Sequence, residues 1–339
     1  MDKQSQVLAV SSDSLIFPGE KHFKNMRMLT AEGNDNAEAY FSFDGTKIIF
    51  QSTRSGYGCD QIYIMNLDGS DAHMVSPGKG RTTCAYFFPD DKHILYASTH
   101  LGGDDCPPKP DHSSGYVWPI YDTYDIFRAN PDGSNLTNLT NIKGYDAEAT
   151  VSPIGDRIIF TSTRNGDIDI YSMKLDGSDV KQLTDILGYD GGSNYSYDGK
   201  TVVWRASRPK TDDEVKEYKD YLARNLVKPG SLEIYVMNSD GSGKKQVTNN
   251  GKANFGPYFF PDDKRIVFCS NMDDPEGRNF DLFIINVDGS GLEKITNYEQ
   301  FDGFPMFTLH DGGKKFIFCS NRFGLQPHQS NVFVCDWID

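Results

Sequence analysis

The sequence has no apolar run near the roughly 20 residues that a membrane helix needs. Its longest candidates, Lys47 to Phe50 and Arg265 to Ser270, are strand-sized. It also lacks positive charge: 34 Lys and Arg against 48 Asp and Glu leave a formal net charge of -14. A phosphate backbone would meet like charge almost everywhere, which excludes nucleic acid as a partner. None of the six cysteines sits in a Cys-x-x-Cys pair, so zinc-ribbon and thioredoxin-type readings fail. There is no His-x-x-His or His-Glu-x-x-His pattern and no Gly-x-Ser-x-Gly elbow, and a Ser-His-Asp triad has no local signature. The amino terminus lacks the basic start and apolar stretch of a secretory signal, and holds only a weak apolar patch at Val7 to Val10. Either the chain stays in the cytoplasm or it is a mature periplasmic or secreted form, the second being favoured.

What the chain does have is aromatic residues and turns. Among 339 residues there are 22 Phe, 18 Tyr and 32 Gly, a balance suited to strands and tight turns. Laid against itself, the sequence repeats. One unit runs from Phe41 to Arg54 (Phe-Ser-Phe-Asp-Gly-Thr-Lys-Ile-Ile-Phe-Gln-Ser-Thr-Arg) and continues through Gln61 to Ser70, ending in Asp-Gly-Ser. Its first half recurs at Phe87, Val151, Tyr195, Phe259 and Phe307, and its second half at Asp125, Asp169, Glu233 and Asp281. A short strand ending in Leu139-Thr140, Leu183-Thr184, Val247-Thr248 or Ile295-Thr296 follows. Each unit therefore holds four short strands joined by Asp-Gly or Pro-Asp-Asp turns. So small a sheet cannot bury both faces alone, whereas six stacked radially cover one another.

The expected fold is all-β: a six-bladed β-propeller of four-stranded blades. The sixth unit stops at Asn331 to Trp337 without a fourth strand, and Lys24 to Thr30 reads as an orphan fourth strand. The amino-terminal strand thus completes the last blade and closes the ring, removing exposed sheet edges. Residues 1–22 form an extension and residues 23–339 a single domain. The Asp-Gly turn, the Ser-Thr-Arg, the Asp-Ile-Tyr and the Met-x-x-Asp-Gly-Ser with its trailing Leu-Thr resemble the WD-like repeats of TolB-like propellers, over nearly the whole chain. The resemblance implies a partner-binding module, an accessory domain of a peptidase or, less commonly, a lyase.

Strand direction puts both hairpin turns of each blade on one face and the other connections on the opposite one. The long insertions, Leu101 to Tyr124 and Pro209 to Leu232, belong to that second, elaborated face, where binding is expected. Aligned on the turns, the innermost strands begin at Asn36, Thr82, Asp146, Asp190, Asn254 and Asp302, with Glu38 and Glu148 two residues on. These should ring the mouth of the central channel. Either each caps its own turn or binds channel water, or Glu38, Asp146, Glu148, Asp190 and Asp302 hold an axial Ca²⁺ or Mg²⁺ or a cationic ligand.

Second strands end in Arg54, His100, Arg164, Arg208 and Arg322, facing carboxylates on neighbouring strands. These arginines either brace the blades or grip a ligand carboxylate at the mouth. In the blade-four insertion, Thr211 to Glu214 is a capping box, and Val215, Tyr218, Leu222 and Leu226 recur at helical spacing, predicting a helix of about four turns over the face. In the blade-two insertion, Tyr116, Trp118 and Tyr121 are candidate ligand contacts. Trp204 reads as core. Cys269, Cys319 and Cys335 read as small buried hydrophobes, whereas a bridge among Cys59, Cys84 and Cys106 requires an oxidising compartment.

The leading expectation is a non-enzymatic, monomeric module that recognises a protein, a peptide or a small ligand at the elaborated face. The alternative is a lyase or hydrolase acting on sugar acids or peptides at the same mouth, with His100 or His112 joined by Asp146 and Glu148. A third reading, an assembly scaffold, would bind through the outer blade rims.

Overall fold

The computed structural model describes residues 12–54, 56–113 and 115–339; the Val7 to Val10 patch lies outside them. Six antiparallel four-stranded sheets stand around a hub. Blade one comprises Asn34–Phe41, Lys47–Thr53, Gln61–Asn66 and His73–Met74, and blade two comprises Thr82–Phe87, Ile94–Ser98, Asp125–Ala129 and Thr137–Asn138. Blade three is Asp146–Val151, Ile158–Ser162, Asp169–Met173 and Lys181–Gln182; blade four is Asp190–Tyr195, Thr201–Ala206, Glu233–Asn238 and Lys245–Gln246. Blade five is Asn254–Phe259, Arg265–Ser270, Asp281–Asn286 and Glu293–Lys294. Blade six takes Asp302–Phe307, Lys315–Ser320 and Asn331–Trp337 from the carboxyl end and Phe23–Met28 from the amino end. The closing strand pairs Phe23 with Trp337 and Met28 with Phe333. The first strands of neighbouring blades pack on one another at the hub, and the faces between blades are filled by side chains such as Phe160, Trp204, Phe268 and Phe316, all fully buried.

The recurring Leu-Thr has a physical job. In blade four, Thr248 Oγ1 accepts from Ile234 N (2.8 Å) and donates to Glu233 (2.6 Å), tying the short outer strand to the third. Thr140 with Asp125, Thr184 with Asp169 and Ser76 with Gln61 repeat the device. Thr30 completes the set at the ring closure, accepting from Val332 N (2.9 Å) and donating to Asn331 (3.1 Å). The closure is therefore written into side chains as well as backbone.

On the elaborated face the helix is shorter than its sequence spacing predicts. The helix, α1, spans Asp212–Leu222, with Thr211 and Glu214 forming the expected reciprocal cap. It is three turns long, not four, because Asn225 takes a left-handed φ of 56° and Leu226 leaves the helix. Leu226–Val227 instead pairs antiparallel with Trp118–Pro119 of the blade-two insertion. Backbone pairing with a distant loop outweighs the helical spacing of a single leucine. The two long insertions are thus joined into a small sheet across the face. A second tie is the disulfide between Cys59 and Cys106, which fastens the blade-two insertion to blade one and leaves Cys84 free.

Candidate functional site

Every innermost strand carries a β-bulge at the same place. The residues Glu38, Cys84, Glu148, Gly192, Gly256 and Phe304, one per blade, all have φ between 48° and 60°, and the pairing register slips there in each blade. In a regular strand, positions two apart share a face; the left-handed bulge residue breaks that rule. The mouth positions therefore turn into the blades, while the bulge residues turn into the hub.

Asn36, Thr82, Asp146, Asp190, Asn254 and Asp302 are accordingly buried. Asp146 receives Arg164 Nη2 (3.0 Å), Asp190 receives Arg208 Nη2 and Trp204 Nε1 (both 2.6 Å), and Asp302 receives Arg322 Nη2 (2.7 Å). The arginines thus reach inward to the first strand of their own blade, not outward to the third-strand carboxylates, which the threonines occupy. Burial raises the carboxyl pKa of Asp146 and Asp302, and lifts Asp190 to about 6, even beside these cations. Arg322 is 0% exposed. It also holds both oxygens of Glu20 (2.9 and 3.0 Å) and stacks near Phe17, so it anchors the amino-terminal extension to blade six. Arg54 lies over Tyr63 and meets the exposed Glu32. His100 accepts or donates at Ser98 Oγ (2.8 Å), packs on Phe127, and is held below the usual imidazole range by burial.

The hub itself holds a chamber of about 30 Å³, where Glu38, Cys84, Glu148, Asn194 and Arg205 meet Tyr40 and Phe304. Arg205, which the repeat pattern does not single out, is its central residue. It donates to Glu148 of the neighbouring blade and to Tyr189 Oη (2.9 Å). Glu148 also accepts from Thr161 Oγ1 (2.8 Å) and Gly192 N (3.0 Å). Gly191 and Gly192 make the room: a Cβ on Gly192 would lie 2.7 Å from Arg205 Cζ, and one on Gly191 would lie 2.7 Å from Tyr189 Cζ. Burial pushes the Glu38 carboxyl up to about 7, helped by Glu148 and opposed by a Cys84 hydrogen bond and the Arg205 charge. The local signal for this network was the Gly-Gly at the blade-four bulge facing an arginine in mid-strand.

Both ends of the hub are aromatic. Toward the trimmed face, Tyr86 and Tyr258 bring their hydroxyls to 3.3 Å across the axis. Toward the elaborated face, Trp118 meets Tyr189 and Phe255 edge-on, with the Arg205 guanidinium 5.2 Å from its ring centre. Trp118 is thus turned inward as a lid, Tyr121 is tied to Pro108 O (2.7 Å), and Tyr116 stands 68% exposed. His112 stacks on Tyr116 in the exposed loop. Among the described residues, no three His, Cys, Asp or Glu side chains converge as metal ligands would.

Beside the lid, α1 stands off blade four and roofs a cavity of about 360 Å³. The helix contributes Glu214, Glu217, Tyr218 and Tyr221, spaced along one face, and the blade contributes Arg208, Glu233 and Tyr235. No residue of α1 is buried. Its cap, the Tyr218 hydroxyl on Asp167 and the Leu226–Val227 pairing hold it in place.

The chain matches no sequence-family profile, and no curated protein is similar to it in sequence. In fold it is similar to a TolB structure from Agrobacterium tumefaciens (17% identity, TM-score 0.58, covering 90% of this chain and 91% of that one). It is also similar to TolB from Acinetobacter baumannii (18% identity, TM-score 0.60), where the match covers 87% of this chain and 64% of that one. An oligogalacturonate lyase from Vibrio parahaemolyticus matches at 12% identity and TM-score 0.52, over 92% of this chain and 93% of that one. The architecture is that of a TolB-like six-bladed propeller.

Proposed function

We propose that the protein is a recognition module whose elaborated face, over and beside the hub, binds a protein or peptide partner or a small ligand. The observation that carries this reading is the union of the two longest insertions, Trp118–Pro119 on Leu226–Val227, into one platform on a single face. Loops fastened to each other on a rigid scaffold present a pre-ordered surface, which lowers the entropy lost on binding. TolB-type neighbours support a binding role for such a propeller. The Cys59–Cys106 bridge supports a periplasmic or secreted location, since disulfides persist in oxidising compartments. An axial Ca²⁺ or Mg²⁺ would rest on Glu38, because Asp146, Asp190 and Asp302 are held by arginines and Glu148 by Arg205. A melt of chelated protein rescanned with each ion, with Glu38→Gln as control, decides that part.

The reading is tested by thermal melts against panels of short peptides and uronides. A ligand at about a hundred times its dissociation constant stabilises by roughly 2.7 kcal/mol. The expected result is a shift reduced by Trp118→Ala or Tyr116→Ala and unchanged by Val180→Asp, an exposed position next to the outermost strand of blade three. Loss in Val180→Asp with no effect at the lid would move recognition to the blade rims.

A further inference from the structure

The blade-four cavity holds cationic side chains whose hydrogen-bond donors are not all used. Its three carboxylates already have protein partners. Glu214 accepts from the amides of Lys210 (2.6 Å) and Thr211 (3.1 Å). Glu233 accepts from Thr248 Oγ1 (2.6 Å) and Gly251 N (2.7 Å). Glu217 pairs with Lys228 (2.8 Å). The cations keep spare capacity. Arg208 gives Nη1 to the carbonyls of Tyr189 and Ser207 and one Nη2 proton to Asp190. That leaves its Nε–H and a second Nη2 proton, since a guanidinium carries five donors. Lys228 uses one of three protons, and Lys210 Nζ makes no hydrogen bond or ion pair among the described residues, its charge acting on Glu214 without contact. Flat, weakly polar wall is supplied by Tyr218, Tyr221 and Tyr235 with Pro209, beside the polar Gln246 and Asn249. Arg208 already lies over the Tyr235 ring, with Cζ 5.5 Å from its centre.

We propose that this cavity binds a carboxylate carried next to an aromatic ring, the carboxylate on Lys210 and Arg208 and the ring against the tyrosines. The unused donors of Lys210 and Arg208 suit an acceptor, charge-assisted bonds favour an anionic one, and the tyrosine rings of the wall favour a flat partner. The volume falls within the usual range for small-ligand sites. The same chemistry is offered by a free aryl carboxylic acid and by the carboxyl-terminal Phe or Tyr of a peptide. The inference rests on the elaborated face being the recognition face, and it names the chemistry recognised there.

The test is calorimetric titration of the full chain with Gly-Gly-Tyr, its carboxyl-terminal amide, and 4-hydroxyphenylacetate. The free peptide should bind at least about tenfold more tightly than the amide, the loss expected when one charge-assisted contact disappears. Binding of 4-hydroxyphenylacetate as tight as that of Gly-Gly-Tyr identifies a free acid as the ligand, and much weaker binding identifies a peptide terminus. Lys210→Glu and Tyr221→Ala, both at accessible positions away from the core, should each weaken the titration several-fold, and added salt should weaken it too. Equal binding of acid and amide, or no saturable binding of any of the three, overturns the inference. Peptide binding lost in Trp118→Ala but untouched by Lys210→Glu and Tyr221→Ala would also overturn it, while leaving the recognition face standing.

Discussion

Arg205 and Glu148, from adjacent blades, meet inside the hub across a gap that only the glycine pair 191–192 leaves open. The pair is nearly buried, and Glu148 is held by three further donors, from Thr161, Gly192 and Tyr189. Breaking one side of such a pair leaves a charge in a poorly solvated place. Arg205→Met should therefore destabilise the protein by roughly 3–5 kcal/mol, and the double change with Glu148→Gln should recover a large part of the loss. Urea melts of the four species measure the coupling. Strictly additive losses would mean that the two side chains act independently.

Glu38 makes stability depend on pH in a defined direction. Its folded pKa of about 7 lies above the ordinary carboxyl value of 4.5. The folded state therefore holds the proton more tightly than the unfolded one. The contribution is fully present below about pH 4.5 and disappears as pH rises through 7, a swing of roughly 1–3 kcal/mol for a partly solvated group. Asp169, Asp190 and Asp281, each lifted to about 6, act in the same direction. The informative quantity is therefore the difference between wild type and Glu38→Gln, which should change between pH 4.5 and 7 and be flat on either side. A difference constant across that window would show that Glu38 titrates normally.

Arg322 and Arg54 end equivalent strands but should respond very differently to alanine. Arg322 is enclosed with Glu20 and Asp302, so Arg322→Ala leaves two buried carboxylates unpaired and should cost about 3–5 kcal/mol. Arg54→Ala removes a half-exposed contact with Glu32 and a stack on Tyr63, and should cost no more than about 1 kcal/mol. Limited proteolysis separates anchoring from general destabilisation. Glu20→Gln, a milder change, should speed cleavage near residues 16–20 while leaving the hub protected. Equal protection of the extension in both proteins would mean that Arg322 does not anchor it.

The disulfide can be counted. Denatured protein should show four reactive thiols before reduction and six after, because Cys84, Cys269, Cys319 and Cys335 are free and Cys59 is joined to Cys106. The bridge spans a sequence separation of 47, and removing it with Cys106→Ser should lower stability by roughly 2–4 kcal/mol. Hydrogen exchange should quicken first in the blade-two insertion. Six thiols without reductant would rule the bridge out.

The blades and their closure were legible because each repeat carries its own punctuation: Asp-Gly turns, Asp-Gly-Ser turns and a threonine that ties down the last strand. Thr30, far from Asn331 in the chain, was readable by the same rule. The hub was less legible. Period-two logic places Glu148 on the same side as Asp146, and only the left-handed bulge separates them, one into the chamber and one onto Arg164. Arg205 escaped because it stands where other blades carry Gln51, Ala97, Thr161, Cys269 or Cys319. Leu226 kept a helical spacing that a partner strand overrode. Such outcomes depend on contacts between residues far apart in sequence, which a local pattern does not encode.

The pairing of Trp118–Pro119 with Leu226–Val227 also has an evolutionary corollary. Two stretches more than a hundred positions apart cannot drift in length separately, because shortening either would strand the other's unpaired backbone above Trp118. Among related propellers they should be gained or lost as a couple, and a graft of one into another scaffold would need its companion to take shape.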